Sequence, residues 1–307
     1  MVLVAPQPNP VADRGSASRR GPGWHGRLTA ARCAAVAEPA TPARHEVLRL
    51  LRDGSGSRPS FNSGLAGGLR AWLEDAASEL AASRGEEAPP LFLGPRQLLA
   101  EAGSDHSPGL EEFPAPLVTS CLVHALFRQV VTTGTVDDPL TDALDALSVD
   151  PSRADLVRHV TKLTAPARRA LAATLTTHVS HLIDLTPRFS PGWLPRTDDR
   201  VAIPLAGGRV VLHGTFNLLV GTPAPGTASL CALGLATGGR WGGARTALHY
   251  LALLEALRSG TPPFRLALLH SALGGYGVED VLEDHLRAIV SHLVVGLSAL
   301  AREDAGA

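Results

Sequence analysis

The stretch VAIPLAGGRVVLHGTFNLLVG, residues 201–221, decides the fold class of this chain. It contains two apolar runs rich in valine, leucine and isoleucine, and the short turn Ala206-Gly207-Gly208 separates them. Two strand-like runs joined by a glycine-containing turn are typical of a β-hairpin. The sequence therefore predicts two antiparallel strands here.

Segments on both sides of this hairpin alternate between helix and strand patterns. Upstream, residues 164–185 have leucines at helical spacing, and Thr164 is a candidate for the N-cap. Downstream, the patterns predict a strand at 228–236, a helix at 245–260, a strand at 264–270 and a long helix at 278–303. The order α-β-β-β-α-β-α predicts an α/β fold with a mixed sheet.

The rest of the chain is of two kinds. Residues 1–43 are rich in proline, glycine, alanine and arginine without apolar periodicity, which predicts a disordered tail, or alternatively a basic arm for nucleic acid. Residues 44–163 have helical periodicity and predict a helical N-terminal half. One predicted helix face carries Leu65, Leu69, Trp72, Leu73 and Leu80. Residues 164–307 form the predicted α/β core.

Composition excludes several functional classes. With 307 residues that are 45% hydrophobic, the chain can bury a sizeable core and is not wholly disordered. A net charge of -1 gives no general attraction to nucleic acid or membranes, and 4% aromatic residues argue against stacking on single strands. The three cysteines form no CxxC pair, which excludes a thiolate zinc site. Without a signal-peptide pattern, the sequence predicts a cytoplasmic protein without membrane contact.

Three motifs lie within the predicted core: GTFNLLVG at 214–221, LGLATG at 233–238 and HYLALLEALRSGTPPFR at 249–265. With the element order, they make residues 164–302 resemble the PD-(D/E)XK nuclease superfamily, in particular its RecB-like and Cas4-like branch. In active relatives the first motif reads G-x-x-D, the second reads D-x-K-T-G, and the third is a helix with an aromatic or glutamine-bearing motif. The resemblance implies a restriction-endonuclease-like core.

The resemblance also identifies the positions where catalysis would occur. Phosphodiester hydrolysis uses Mg²⁺ held by carboxylates, and a D-x-K pair places a carboxylate and an ammonium on one strand face. In this chain Asn217, Gly234 and Ala236 stand at the Asp, Asp and Lys positions, and the single lysine, Lys162, precedes the core.

The resemblance therefore implies a catalytically inactive homologue without a cofactor, which binds DNA or a protein partner in DNA repair, recombination or defence. One alternative is an active but rewired nuclease that uses Mg²⁺ or Mn²⁺. Another is a purely structural or interaction scaffold.

Several further side chains are candidates for binding. The nucleic-acid candidates lie on or beside the helix after the third strand: Arg240, Arg245, Tyr250 and Arg258. A guanidinium can bind phosphate in a bidentate manner or remain solvated, and the tyrosine can stack on a base or pack in the core. His178 and His181, three residues apart on one helix, can share a metal with a third ligand or be ordinary helix histidines.

Overall fold

The computed structural model describes residues 2–3, 61–99, 113–186, 189, 191–221, 228–238 and 241–306. These residues form eight α-helices and seven strands. The helices are α1 (Leu65–Ser83), α2 (Pro95–Leu99), α3 (Ala115–Thr133), α4 (Pro139–Ser148), α5 (Ala154–Thr161), α6 (Ala165–Leu185), α7 (Trp241–Ser259) and α8 (Glu283–Gly306). The strands are β1 (Val2–Leu3), β2 (Leu91–Leu93), β3 (Arg196–Leu205), β4 (Val210–Val220), β5 (Cys231–Ala236), β6 (Arg265–His270) and β7 (Gly275–Asp280).

The strands form one mixed sheet in the order β1-β7-β6-β5-β4-β2, and β3 pairs with β4. Strands β3, β4 and β5 are successively antiparallel, and α7 then carries the chain to β6, which is parallel to β5. β7 returns antiparallel to β6. The mixed α/β architecture predicted from the sequence is therefore confirmed.

Helices cover both faces of the sheet. On one face, α1, α7 and α8 pack against apolar side chains such as Phe216 and Leu268. On the other face, α3, α4 and α6 enclose a second core that includes Leu218 and Leu233. The side chains of β5 alternate between these two cores, because successive strand residues point to opposite faces.

The predicted turn of the hairpin and the predicted N-cap of α6 are confirmed. The turn between β3 and β4 contains Gly207 at φ 66° and Gly208 at φ 90°, values that glycine adopts without steric cost. Thr164 caps α6 by accepting a hydrogen bond from the backbone N–H of Ala167.

The predicted start of the last helix is wrong. Residues 278–280 belong to β7, and α8 begins only at Glu283. The backbone of 275–280 pairs with β6 along its whole length, from His270↔Gly275 to Arg265↔Asp280. Without that pairing, β6 would present unpaired backbone groups at an open edge.

The structure also differs from two predictions for the N-terminal half. Trp72, predicted on the apolar face of α1, is 47% exposed, because it lies beside the buried stripe that contains Leu69 and Leu73. Val2–Leu3 pairs with β7, so this short piece of the predicted tail forms a strand. The other residues of 1–43 lie outside the described residues.

Among the described helices, α3 alone is long and apolar enough to cross a membrane, judged by length and composition only. It packs against α4 and α6, and Leu122, Leu126 and Val130 are fully buried. Of the candidate span, 44% is buried inside the protein.

Candidate functional site

Asn217 lies on β4 just before this strand meets β5. Its side-chain oxygen accepts a hydrogen bond from the backbone N–H of Leu235 at 2.9 Å. Its amide nitrogen donates to Nδ1 of His124, on α3, at 2.8 Å. The β4–β5 ladder ends at the pair Leu218↔Leu233, so the asparagine continues the link between the strands where backbone pairing stops. Both polar groups of Asn217 are thus used within the protein.

Gly234 and Ala236 lie together on the other face of the sheet. A Cβ atom on Gly234 would stand 3.3 Å from Cδ1 of Leu248, on α7, and 3.4 Å from Cδ1 of Leu268. Ala236 is 6% exposed and belongs to the same apolar core. The structure therefore brings these two positions together in an apolar layer, while the side chain of Asn217 turns toward α3.

The described arginine candidates are engaged in ion pairs within the chain. Arg245 makes a bidentate contact with Glu279, with Nη2 at 2.7 Å from Oε2 and Nε at 3.1 Å from Oε1. Arg258 contacts Asp199 at 3.0 Å and also pairs with Glu255. Glu255 is fully buried, and burial raises the pKa of its carboxyl group. Arg240 lies outside the described residues.

Tyr250 is wholly buried on α7. Its hydroxyl oxygen lies 3.1 Å from the carbonyl oxygens of both Leu93, on β2, and His213, on β4. Burial raises the pKa of this phenol, so it stays protonated and can donate. The ring has no exposed face for a base, and its position is that of the core-packing alternative.

His178 and His181 both contact Ser271, which follows β6. Nδ1 of His178 is 2.8 Å from Oγ of Ser271, and Nδ1 of His181 is 2.7 Å from its carbonyl oxygen. Burial, together with the nearby His181 and His270, lowers the pKa of His178. In the described part of the chain, no third ligand atom completes a metal-binding group with these two.

A different cluster was not anticipated from the sequence. His249, Glu279 and His285 come from α7, β7 and α8, and their ligand atoms all lie within 4.8 Å of one another. Glu279 was expected inside a helix, and the two histidines are far apart in the chain, so no local spacing indicates the group. It lies on the same sheet face as Gly234, beyond the neighbouring strand β6.

An apolar cleft of about 340 Å³ opens between the start of α3, the end of α5 and the first half of α6. Its walls include Phe113, Val118, Leu163 and Leu171, with Ala170 at the exposed rim. The cleft is lined mainly by apolar side chains.

Comparisons with known proteins give no family for this chain. No protein-family model matches it, and no curated protein matches it significantly.

Proposed function

We propose that this protein is a nuclease-like binding protein that does not hydrolyse phosphodiester bonds, and that its partner is another protein. The packing of Gly234 carries the proposal. The position that would supply a metal-binding carboxylate is in contact range of Leu248 and Leu268, in a layer whose described members around it are apolar. A divalent ion requires oxygen ligands and room for water, and this layer offers neither.

The order of the elements supports the nuclease-like part of the proposal. α6 precedes the antiparallel strands β3, β4 and β5, and α7 then leads to the parallel strand β6. This is the order expected from the resemblance over residues 164–302, with β7 added at the edge. Asn217 occupies the place of the first carboxylate and holds two strands and a helix together instead.

A protein partner is favoured over DNA by the state of the basic side chains. Arg245 and Arg258 are already paired with carboxylates, so binding a phosphate would require breaking those contacts. The net charge of -1 adds no general attraction. The apolar cleft beside α6, by contrast, suits an apolar side chain from a partner protein.

Nuclease and DNA-binding assays test the first half of the proposal. Purified protein with Mg²⁺ or Mn²⁺ should leave linear, circular and single-stranded DNA uncut, relative to a buffer control. Fluorescence anisotropy with labelled DNA should show only weak binding at physiological salt. Metal-dependent cleavage lost on a substitution in the 164–302 core would instead establish the rewired nuclease. Tight DNA binding that weakens steeply with salt would establish a DNA-binding role.

Crosslinking in cells of the source organism tests the second half. Ala170→Arg places a charged side chain at the cleft rim, and Ala173→Arg places the same residue at an exposed site on α6 outside the cleft. A specific partner should crosslink to the wild-type chain and to Ala173→Arg but not to Ala170→Arg. Equal capture by all three would show that the cleft is not the binding surface.

A further inference from the structure

Three side chains that are typical metal ligands meet at the edge of the sheet that faces α7 and α8. Nε2 of His249 is 2.7 Å from Oε1 of Glu279, and the ring of His285 stacks on that of His249 with centroids 4.8 Å apart. One ligand atom from each residue lies within 4.8 Å of the others. His249 and Glu279 are each 8% exposed, and His285 is half-buried.

His285 is the unsatisfied member of this group. Its Nδ1 is buried and has no hydrogen-bond partner among the described residues. A buried nitrogen without a partner is costly, and a bound ion is one of the explanations for such a group in a native protein.

We propose that His249, Glu279 and His285 bind one zinc ion. Two imidazoles and one carboxylate form a ligand set that zinc commonly uses, with a fourth position left to water. The same set is poorly suited to Mg²⁺, which prefers oxygen ligands throughout. The site is separate from Asn217, Gly234 and Ala236, so it does not depend on the proposed function.

The carboxylate of Glu279 already lies among basic side chains. Glu279 is 8% exposed, and Nε2 of His249 and Nη2 of Arg245 each lie 2.7 Å from one of its carboxylate oxygens. An ion bound here would take the place of the hydrogen bond between His249 and Glu279.

Two features of the cluster limit the affinity. The planes of the two histidine rings are only 14° apart, so one ring must turn before both lone pairs can meet a single ion. Arg245 already neutralises Glu279 and is 42% exposed, which makes it a competing cation at the mouth of the site. The site is therefore expected to bind zinc more weakly than one with fully preformed ligands.

Metal titration of the full chain tests the proposal. After dialysis against a chelator, Zn²⁺ should bind with a stoichiometry of one by calorimetry, and Mg²⁺ should not bind. His285→Gln removes a ligand without breaking any hydrogen bond given by the structure and should weaken binding at least about tenfold. His292→Gln, at an exposed position on the same helix, is the matched control and should bind like wild type.

The variant Arg245→Gln should change the zinc affinity in the opposite direction to His285→Gln. Removing this cation should raise the affinity for Zn²⁺ roughly tenfold, because a nearby like charge disfavours the bound ion by a comparable factor. The Co²⁺ complex should show the visible absorption bands of a four-coordinate site, and His285→Gln should lose them. The proposal is overturned if wild type shows no stoichiometric binding, or if His285→Gln and His292→Gln bind zinc equally.

Discussion

Replacing Gly234 with aspartate introduces the residue type that active members of the resembled nuclease superfamily carry, and we expect it to destabilise the fold. A Cβ atom alone would lie 3.3 Å from Cδ1 of Leu248, so this side chain must move by a few tenths of an ångström to admit it. Overpacking of this kind costs about 1–3 kcal/mol. The carboxylate would also lose its hydration inside an apolar layer without a cation. Together these effects predict a loss of about 3–5 kcal/mol in the free energy of unfolding, a large part of the stability of a typical domain.

A series of variants separates the effect of overpacking from the effect of the buried charge. Gly234→Ala adds only the Cβ, and Gly234→Asn adds the shape of aspartate without its charge. Thr215→Asp places the same carboxylate at an exposed position on β4 and should change stability by less than about 1 kcal/mol. Urea-induced unfolding at pH 7, followed by circular dichroism, should rank the variants in the order Thr215→Asp, Gly234→Ala, Gly234→Asn and Gly234→Asp, from most to least stable.

Measurements at acidic pH test whether the charge of the new aspartate causes part of the destabilisation. Lowering the pH toward 5 should bring Gly234→Asp closer to Gly234→Asn, because burial raises the pKa of the new carboxyl group and lets it take up a proton. If Gly234→Asp is as stable as Thr215→Asp at pH 7, then β5 does not face a closed apolar layer. That result would remove the main support for the absence of catalysis.

Three further predictions concern buried polar groups. Tyr250→Phe should lower the free energy of unfolding by about 1–2 kcal/mol, because the carbonyl oxygens of Leu93 and His213 lose the one hydroxyl donor that they share; an unchanged urea midpoint would contradict this. Arg258→Met should cost about 3 kcal/mol at pH 7 by leaving Glu255 buried and unpaired, and less at pH 5, where Glu255 can be protonated. Because the folded-state pKa of His178 is depressed, the unfolded chain binds more protons below about pH 6.5, so stability falls on acidification. Urea unfolding between pH 7.5 and 5.5 should show a shallower fall in His178→Gln, and the same slope as wild type in His292→Gln.

Local patterns in the sequence were enough to predict much of the architecture. The hairpin of β3 and β4, the N-cap of α6 at Thr164 and the helix–strand alternation of the core each depend on residues close together in the chain. The spacing of apolar side chains, the turn residues and the capping residues each act over a few neighbouring positions. A single sequence therefore contains what is needed to predict the elements that they form. The sequence also indicated Asn217, Gly234 and Ala236 as candidate site positions, because they lie in the motifs at 214–221 and 233–238.

The partners of those residues depended on contacts between distant segments. His124 meets Asn217 only because α3 packs on the sheet, and Leu248 closes over Gly234 only because α7 lies on the opposite face. Pairing with β6 places residues 278–280, which were predicted to be helical, in a strand, and this puts Glu279 beside His249 and His285. Backbone hydrogen bonds at a sheet edge and the packing of two cores are properties of the whole fold, and no spacing along the chain encodes them.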